Sequence, residues 1–208
     1  MSRHKFTTRH KRLMIVGAGA TALAAAIGLA ATAGASETPA ERTSSWKPVV
    51  VKVEFAPASE AAEADAVTYN TELVPVGSRV RVKEVRGLGG ATLVELRVKD
   101  LAADRTYGAH VHTKPCGELP TAAGPHYQNE LDPTQPSVDS KYANPKNEVW
   151  LDLTTNKDGT GRATAGVDWR FREGGARSVV IHMMATATHD GHAGTAGARL
   201  ACVNVPFK

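Results

Sequence analysis

Thr106-Tyr107-Gly108-Ala109-His110-Val111-His112-Thr113-Lys114-Pro115-Cys116 carries two histidines one residue apart in a run closed by a proline. In an extended chain residues i and i+2 point to the same face, so this spacing predicts a strand that aims both imidazoles at one point. Gly108, just before the pair, lets another group approach the strand closely. A His-x-His also occurs as two surface histidines on an edge strand. Three later segments add to the metal reading: Gly124-Pro125-His126, Val180-Ile181-His182 and Gly197-Ala198-Arg199-Leu200-Ala201-Cys202.

Outward from this strand the chain reads as β throughout. Strands are expected at 49–55, 66–69, 80–85 and 91–101 before it, the third and fourth by clean alternation of apolar and polar side chains. After it, strands are expected at 148–153, 160–169, 177–184 and 199–205, with Asn156-Lys157-Asp158-Gly159 as a hairpin turn. Residues 56–65 read as a loop or short helix. Pro115 to Pro145 has no sustained period and holds six prolines, so it reads as a long loop. Ala185 to Gly197, rich in Gly, Thr and His, reads as a second one. Loops of such length in a compact domain are usually functional. About eight or nine short strands and no convincing helix indicate an antiparallel barrel or sandwich.

The N-terminus has another character. Residues 1–12 hold Arg3, Lys5, Arg9, Lys11 and Arg12 without an acid, 13–33 are apolar and Ala-rich, and Ala33-Gly34-Ala35 offers small residues for cleavage. Residues 1–35 thus read as a secretory signal peptide, and the protein as exported to the cell envelope or beyond. An uncleaved membrane anchor is the other reading of this run, disfavoured by its high Ala and Gly content and its A-x-A ending. Residues 36–64 are expected to be a tether with a possible extra strand, and 65–208 a β-barrel domain. Cleavage would remove five of 25 Lys/Arg and none of 21 Asp/Glu, leaving 20 against 21. The mature chain then has no basic footprint for nucleic acid and no segment for stable membrane insertion. Its two cysteines, Cys116 and Cys202, would most simply form one disulfide in an oxidising compartment; two buried thiols are the alternative.

Six histidines follow the cleavage site, and four of them, His110, His112, His126 and His182, sit at strand ends or the start of a loop. Four imidazoles without a thiolate favour Cu(II) over structural zinc. In order, spacing and residue type, His110-Val111-His112, Cys116, Ala123-Gly124-Pro125-His126-Tyr127, Val179-Val180-Ile181-His182 and Gly197–Cys202 resemble the copper/zinc superoxide dismutase family. Leu101 and Tyr107-Gly108 match the approach to that family's histidine pair. The resemblance covers 66–205, most of the mature chain.

It implies a Greek-key antiparallel β-barrel of about eight strands with two long functional loops. It implies copper held by His110, His112, His126 and His182, with His126 at the place of the histidine that bridges copper and zinc. Arg199 matches the arginine that attracts the anionic substrate, superoxide, and Cys116 and Cys202 match the disulfide that pins the loop to the barrel. A fixed cation beside a site raises the local concentration of a small anion, and arginine stays charged at any relevant pH.

The sequence also departs from the family. Residues 127–149 contain no histidine, so the usual zinc ligands are missing and zinc is doubtful. The carboxylates Glu130, Asp132, Asp139, Glu148 and Asp152 remain; a loop carboxylate, a backbone carbonyl or water would serve the far nitrogen of His126, and the carboxylates before and within the 148–153 strand are the candidates. Met183-Met184-Ala185-Thr186 stands where the family has the aspartate linking its two metal sites. His189, Asp190 and His192 read as a solvated loop, with an accessory metal site as the alternative. The resulting expectation is an exported copper-dependent superoxide dismutase, with a non-enzymatic copper-binding or copper-scavenging protein on the same barrel as the alternative.

Overall fold

The computed structural model describes residues 47–208; the expected signal peptide and residues 36–46 of the expected tether lie outside the described residues. Among these residues ten strands form in chain order: β1 (Val49–Glu54), β2 (Ala56–Pro57), β3 (Ala66–Thr68), β4 (Arg79–Arg86), β5 (Thr92–Lys99), β6 (Thr106–His112), β7 (Leu153–Thr154), β8 (Gly161–Val167), β9 (Ser178–His182) and β10 (Arg199–Asn204). Two of them, β2 and β7, are only two residues long, so eight carry the architecture. Helix among the described residues is confined to short 3-10 turns.

The strands form two sheets, ordered β1-β4-β5-β8 and β2-β3-β10-β9-β6-β7. The first is antiparallel throughout, and in the second only the short β2–β3 pair is parallel. Chain order is not neighbour order: the chain leaves β5 for β6 in the other sheet, then returns in β8 to the open edge of β5. These crossings make the sandwich a Greek key.

The alternation read in the sequence sets which side chains face the core. Val80, Val82, Val94, Leu96 and Val98 line the inner face of the first sheet, and Tyr107, Ala109, Val111, Val179 and Ile181 that of the second. Nearly all are fully buried. Removing each such side chain from water contributes about 1.5–3 kcal/mol for a Val or Leu. Because Ala109 and Val111 point inward, His110 and His112 between and beyond them must point to the far face of the second sheet.

One expected strand is corrected. Residues 148–153 run antiparallel beside β6, with Leu151 N–H donating to Ala109 O at 2.7 Å and a bridge between Trp150 and His110. Regular pairing is confined to Thr106 with Thr154 and Tyr107 with Leu153. The ladder fails where the Asp152 side chain, rather than a backbone carbonyl, accepts the N–H of Ala109 at 3.3 Å. Residues 56–65, expected as loop or helix, hold β2 and a single 3-10 turn, Ala58–Glu60.

Gly108 is a point of close approach. Its N–H donates to Met184 O at 2.7 Å, and a Cβ there would sit 2.6 Å from that oxygen and 2.7 Å from Cβ of Ala196. The glycine therefore lets the second long loop lie flat against the histidine strand. Cys116 and Cys202 form a disulfide that ties the start of the first long loop to β10.

Candidate metal centre

Three elements place the four imidazoles. β6 supplies His110 and His112, and β9 ends in His182, which pairs with Gly108 across the sheet. His126 enters from the first long loop by a backbone bridge to His112. Thr113 N–H donating to Pro125 O, and Tyr127 N–H to Val111 O, hold that loop in register. One ligand nitrogen from each ring lies within 4.8 Å of the others. Four imidazole nitrogens at about 2.0–2.1 Å from one ion would lie about 3–4 Å apart, so the cluster is close to that spacing. Among the described residues it is the one group of three or more metal-ligating side chains.

Hydrogen bonds settle which nitrogen of each ring is free. Thr186 Oγ1 donates to Asp152 Oδ1 at 2.6 Å and so must accept from Nε2–H of His110 at 2.7 Å. That leaves the Nδ1 lone pair of His110, which is buried without a hydrogen-bond partner. Nδ1–H of His112 donates to Gly124 O at 2.9 Å, and Nδ1 of His182 faces Gly197 O at 3.4 Å. The Nε2 atoms of His112 and His182 then face each other at 3.4 Å with two lone pairs and no proton between them. Nδ1–H of His126 donates to Glu148 Oε2 at 2.9 Å, freeing its Nε2.

Such a convergence of lone pairs, one of them orphaned in the interior, fits a cation. Burial, and then the neighbouring His126, hold the imidazoles of His110 and His112 well below the usual histidine range. Burial, and then His126, lower His182 to about 3. The three rings are therefore neutral near pH 7, the form in which imidazole ligates a metal.

Glu148 is a carboxylate held in the interior by donors. It is 1% exposed, and besides His126 it accepts from Trp150 Nε1 at 2.7 Å and Gln128 Nε2 at 2.8 Å. Three donors make its burial tolerable. The surroundings of His126 Nδ1 thus supply one carboxylate and no second imidazole. Trp150, Gln128 and Thr186 went unread in the sequence, and their contacts, 2 to 76 residues apart in sequence, leave no periodic trace there.

Arg199 starts β10 opposite His182. Its Nη1 donates to Pro120 O at 2.9 Å and Nη2 to Gly124 O at 2.7 Å, so its fork is fixed by the loop that carries His126. Arg199, His126, His182 and Glu148 line one cavity of ≈ 390 Å³, together with residues 194–197. His189, Asp190 and His192 do not join this cluster. The rings of His189 and His192 lie 5.0 Å apart on the exposed loop, and Asp190 is taken by Ser140.

The protein-family model described as copper/zinc superoxide dismutase (SODC) matches residues 76–205. The chain belongs to the copper/zinc superoxide dismutase family. No curated protein sequence matches the chain. Among solved structures it is similar to a double mutant of a SOD-like protein from Bacillus subtilis, at 16% identity over 64% of this chain and 92% of that one, with a TM-score of 0.45. A single mutant of that SOD-like protein gives 15% identity, 70% and 99% coverage and a TM-score of 0.44. The clock protein EA4 gives 18% identity, 77% and 94% coverage and a TM-score of 0.47. The four-histidine cluster of this family member is compatible with metal binding.

Proposed function

We propose that this chain is an exported, copper-dependent superoxide dismutase that works without zinc. The observation that carries the reading is the direct hydrogen bond from His126 Nδ1 to the buried Glu148, at the nitrogen that the family gives to zinc. His110 Nδ1 and the Nε2 atoms of His112, His126 and His182 would hold copper, in keeping with the preference of imidazole sets for that ion. When bound, copper supplies one-electron exchange with superoxide in both directions.

The chain's own residues do the rest. Arg199 offers a fixed positive charge on the wall of the cavity, attracting a small anion and orienting it beside His126 and His182. Glu148 keeps the His126 ring in one tautomer and one orientation, as metal-bound imidazoles generally require. Nε2 of His126, on the wall of the cavity, would hold copper while unprotonated and, when not ligating, could take a proton from water and pass it to the departing peroxide. Asp152, through Thr186, does for His110 what Glu148 does for His126. Residues 1–35 act as the export signal in this reading, and 65–208 form the catalytic domain.

The test is metal analysis after refolding with copper and zinc both in excess, followed by dialysis and an assay of superoxide consumption with and without chelator. One copper and less than about a tenth of a zinc per chain, with chelator-sensitive activity, is the expected result. Stoichiometric zinc would sink the copper-only site. Stoichiometric copper without activity would leave the copper-scavenging protein as the correct reading.

A further inference from the structure

The outward face of the first sheet is out of keeping with the charge of the body that carries it. Of 25 Lys/Arg and 21 Asp/Glu, six and two precede Lys47, which leaves 19 of each in the described residues. That neutral total is unevenly spread. Strand register sets Lys52 of β1 opposite Arg81 of β4, Arg81 opposite Arg97 of β5, and Arg97 opposite Arg162 of β8. Four cations thus make one row across all four strands, about 4.8 Å from one to the next.

Like charges directly opposite destabilise a sheet. One acid relieves part of this. Glu95 takes Arg81, Arg97 and Arg162 at 2.8, 2.8 and 2.6 Å. One carboxylate cannot neutralise three guanidinium groups, whose side chains remain 32%, 50% and 58% exposed. Lys83 and Lys99 lie on the same face by strand alternation, in the rows on either side. Among the described residues, their side chains and that of Lys52 hold no hydrogen bond or ion pair. At the end of the face nearest the β4–β5 turn the character changes to apolar. Val50 lies opposite Lys83 and Leu93 beside Val85, with Leu88 in the turn itself; the three are 47%, 45% and 69% exposed.

We propose that this face docks on a bilayer of acidic phospholipids. The cation row meets headgroup phosphates, and Val50, Leu88 and Leu93 enter the interfacial region. A soluble polyanion would be gripped by charge alone and would give no reason for three exposed apolar side chains beside the cations; a lipid surface uses both. The orientation is compatible with the metal site. Arg81 and Arg97 point out of the first sheet and His110 and His112 out of the second, so docking leaves the histidine cavity facing away from the bilayer.

The experiment pellets the full chain with vesicles of equal parts phosphatidylglycerol and phosphatidylcholine, and with phosphatidylcholine alone. It is compared with Lys52→Gln/Lys83→Gln/Lys99→Gln, which spares the Glu95 cluster. Both proteins keep residues 1–46, so their difference reads the sheet. Affinity for the acidic vesicles should fall at least about tenfold in the variant, with no change on neutral vesicles. The difference should vanish near 1 M salt, where the Debye length is about 3 Å. Lys141→Gln/Lys146→Gln/Lys157→Gln removes the same net charge elsewhere and should change little. Equal weakening by that control overturns the proposal in favour of net charge only. Leu88→Ser/Leu93→Ser should weaken vesicle binding while leaving binding to soluble polyphosphate unchanged. If it weakens neither, the face is a polyanion site and the membrane proposal fails.

Discussion

Nδ1 of His126 and Oε2 of Glu148 lie 2.9 Å apart. That contact joins an imidazole facing the metal cavity to a carboxylate only 1% exposed. A buried charge is sustained only where donors surround it, and Trp150 and Gln128 complete the set. The orientation of the ring and the placement of the carboxylate are therefore properties of one small network.

Glu148→Gln tests this network. An amide offers one acceptor oxygen where three donors now converge, so at least one donor loses its partner. Groups that orient metal-bound histidines typically account for about 10–100-fold in metal affinity or activity. Copper affinity, measured by competition with a chelator, should drop within that range. An unchanged affinity would mean that Glu148 serves folding alone.

Arg199→Ala should lower the rate of superoxide consumption while copper remains bound at one per chain. The dependence of rate on ionic strength should weaken as well, since screening acts on long-range attraction. Arg199→Lys restores charge but not the paired donation to Pro120 and Gly124, and should recover only part of the rate. Loss of copper from the alanine variant would show that Arg199 maintains the site instead of attracting substrate.

The metal-free protein should lose stability in mild acid. Its buried imidazoles titrate below their ordinary value, His182 at about 3. Between that value and about 6.5 the unfolded chain binds more protons than the folded one, so stability is full above about 6.5 and is lost as pH falls. At pH 5 the loss from His182 alone is about 2 kcal/mol, with His110 and His112 shifted in the same direction. Urea midpoints at pH 7.5 and pH 5, without metal, check this. A midpoint that stays flat or rises in acid contradicts it.

Gly108→Ala places a methyl 2.6 Å from Met184 O and 2.7 Å from Cβ of Ala196. Overpacking of this kind costs about 1–3 kcal/mol. The displaced segment also carries Thr186, which holds His110. A lower unfolding midpoint together with weaker copper binding is expected. A lower midpoint with normal copper binding would separate packing from the site.

Much of this was legible in the sequence because it depends on local geometry. Alternation with a period of two places His110 and His112 on one face and Val111 on the other wherever the backbone is extended. The same rule exposed the inner faces of β4 and β5. The disulfide was readable from the presence of just two cysteines, and the family from the order of the histidine, glycine and arginine motifs.

What the sequence left open was decided by packing between distant segments. Five carboxylates in or near the first long loop were equally plausible partners for His126; only the folded loop brings Glu148, 22 residues away, to its Nδ1. The free nitrogen of His110 depends on Thr186 and Asp152, which lie 34 residues apart and meet because the second loop lies flat against Gly108. The strand expected at 148–153 breaks up because Asp152 takes a backbone donor and the Thr186 hydroxyl with one side chain. His189 and His192 stay outside the metal cluster because their loop is folded on itself, Ala187 N–H donating to Thr195 O and Gly194 N–H to Ala187 O. Side-chain direction follows from the local backbone period, which a sequence displays; the pairing of one polar group with another follows from which loops pack together, which only the tertiary structure determines.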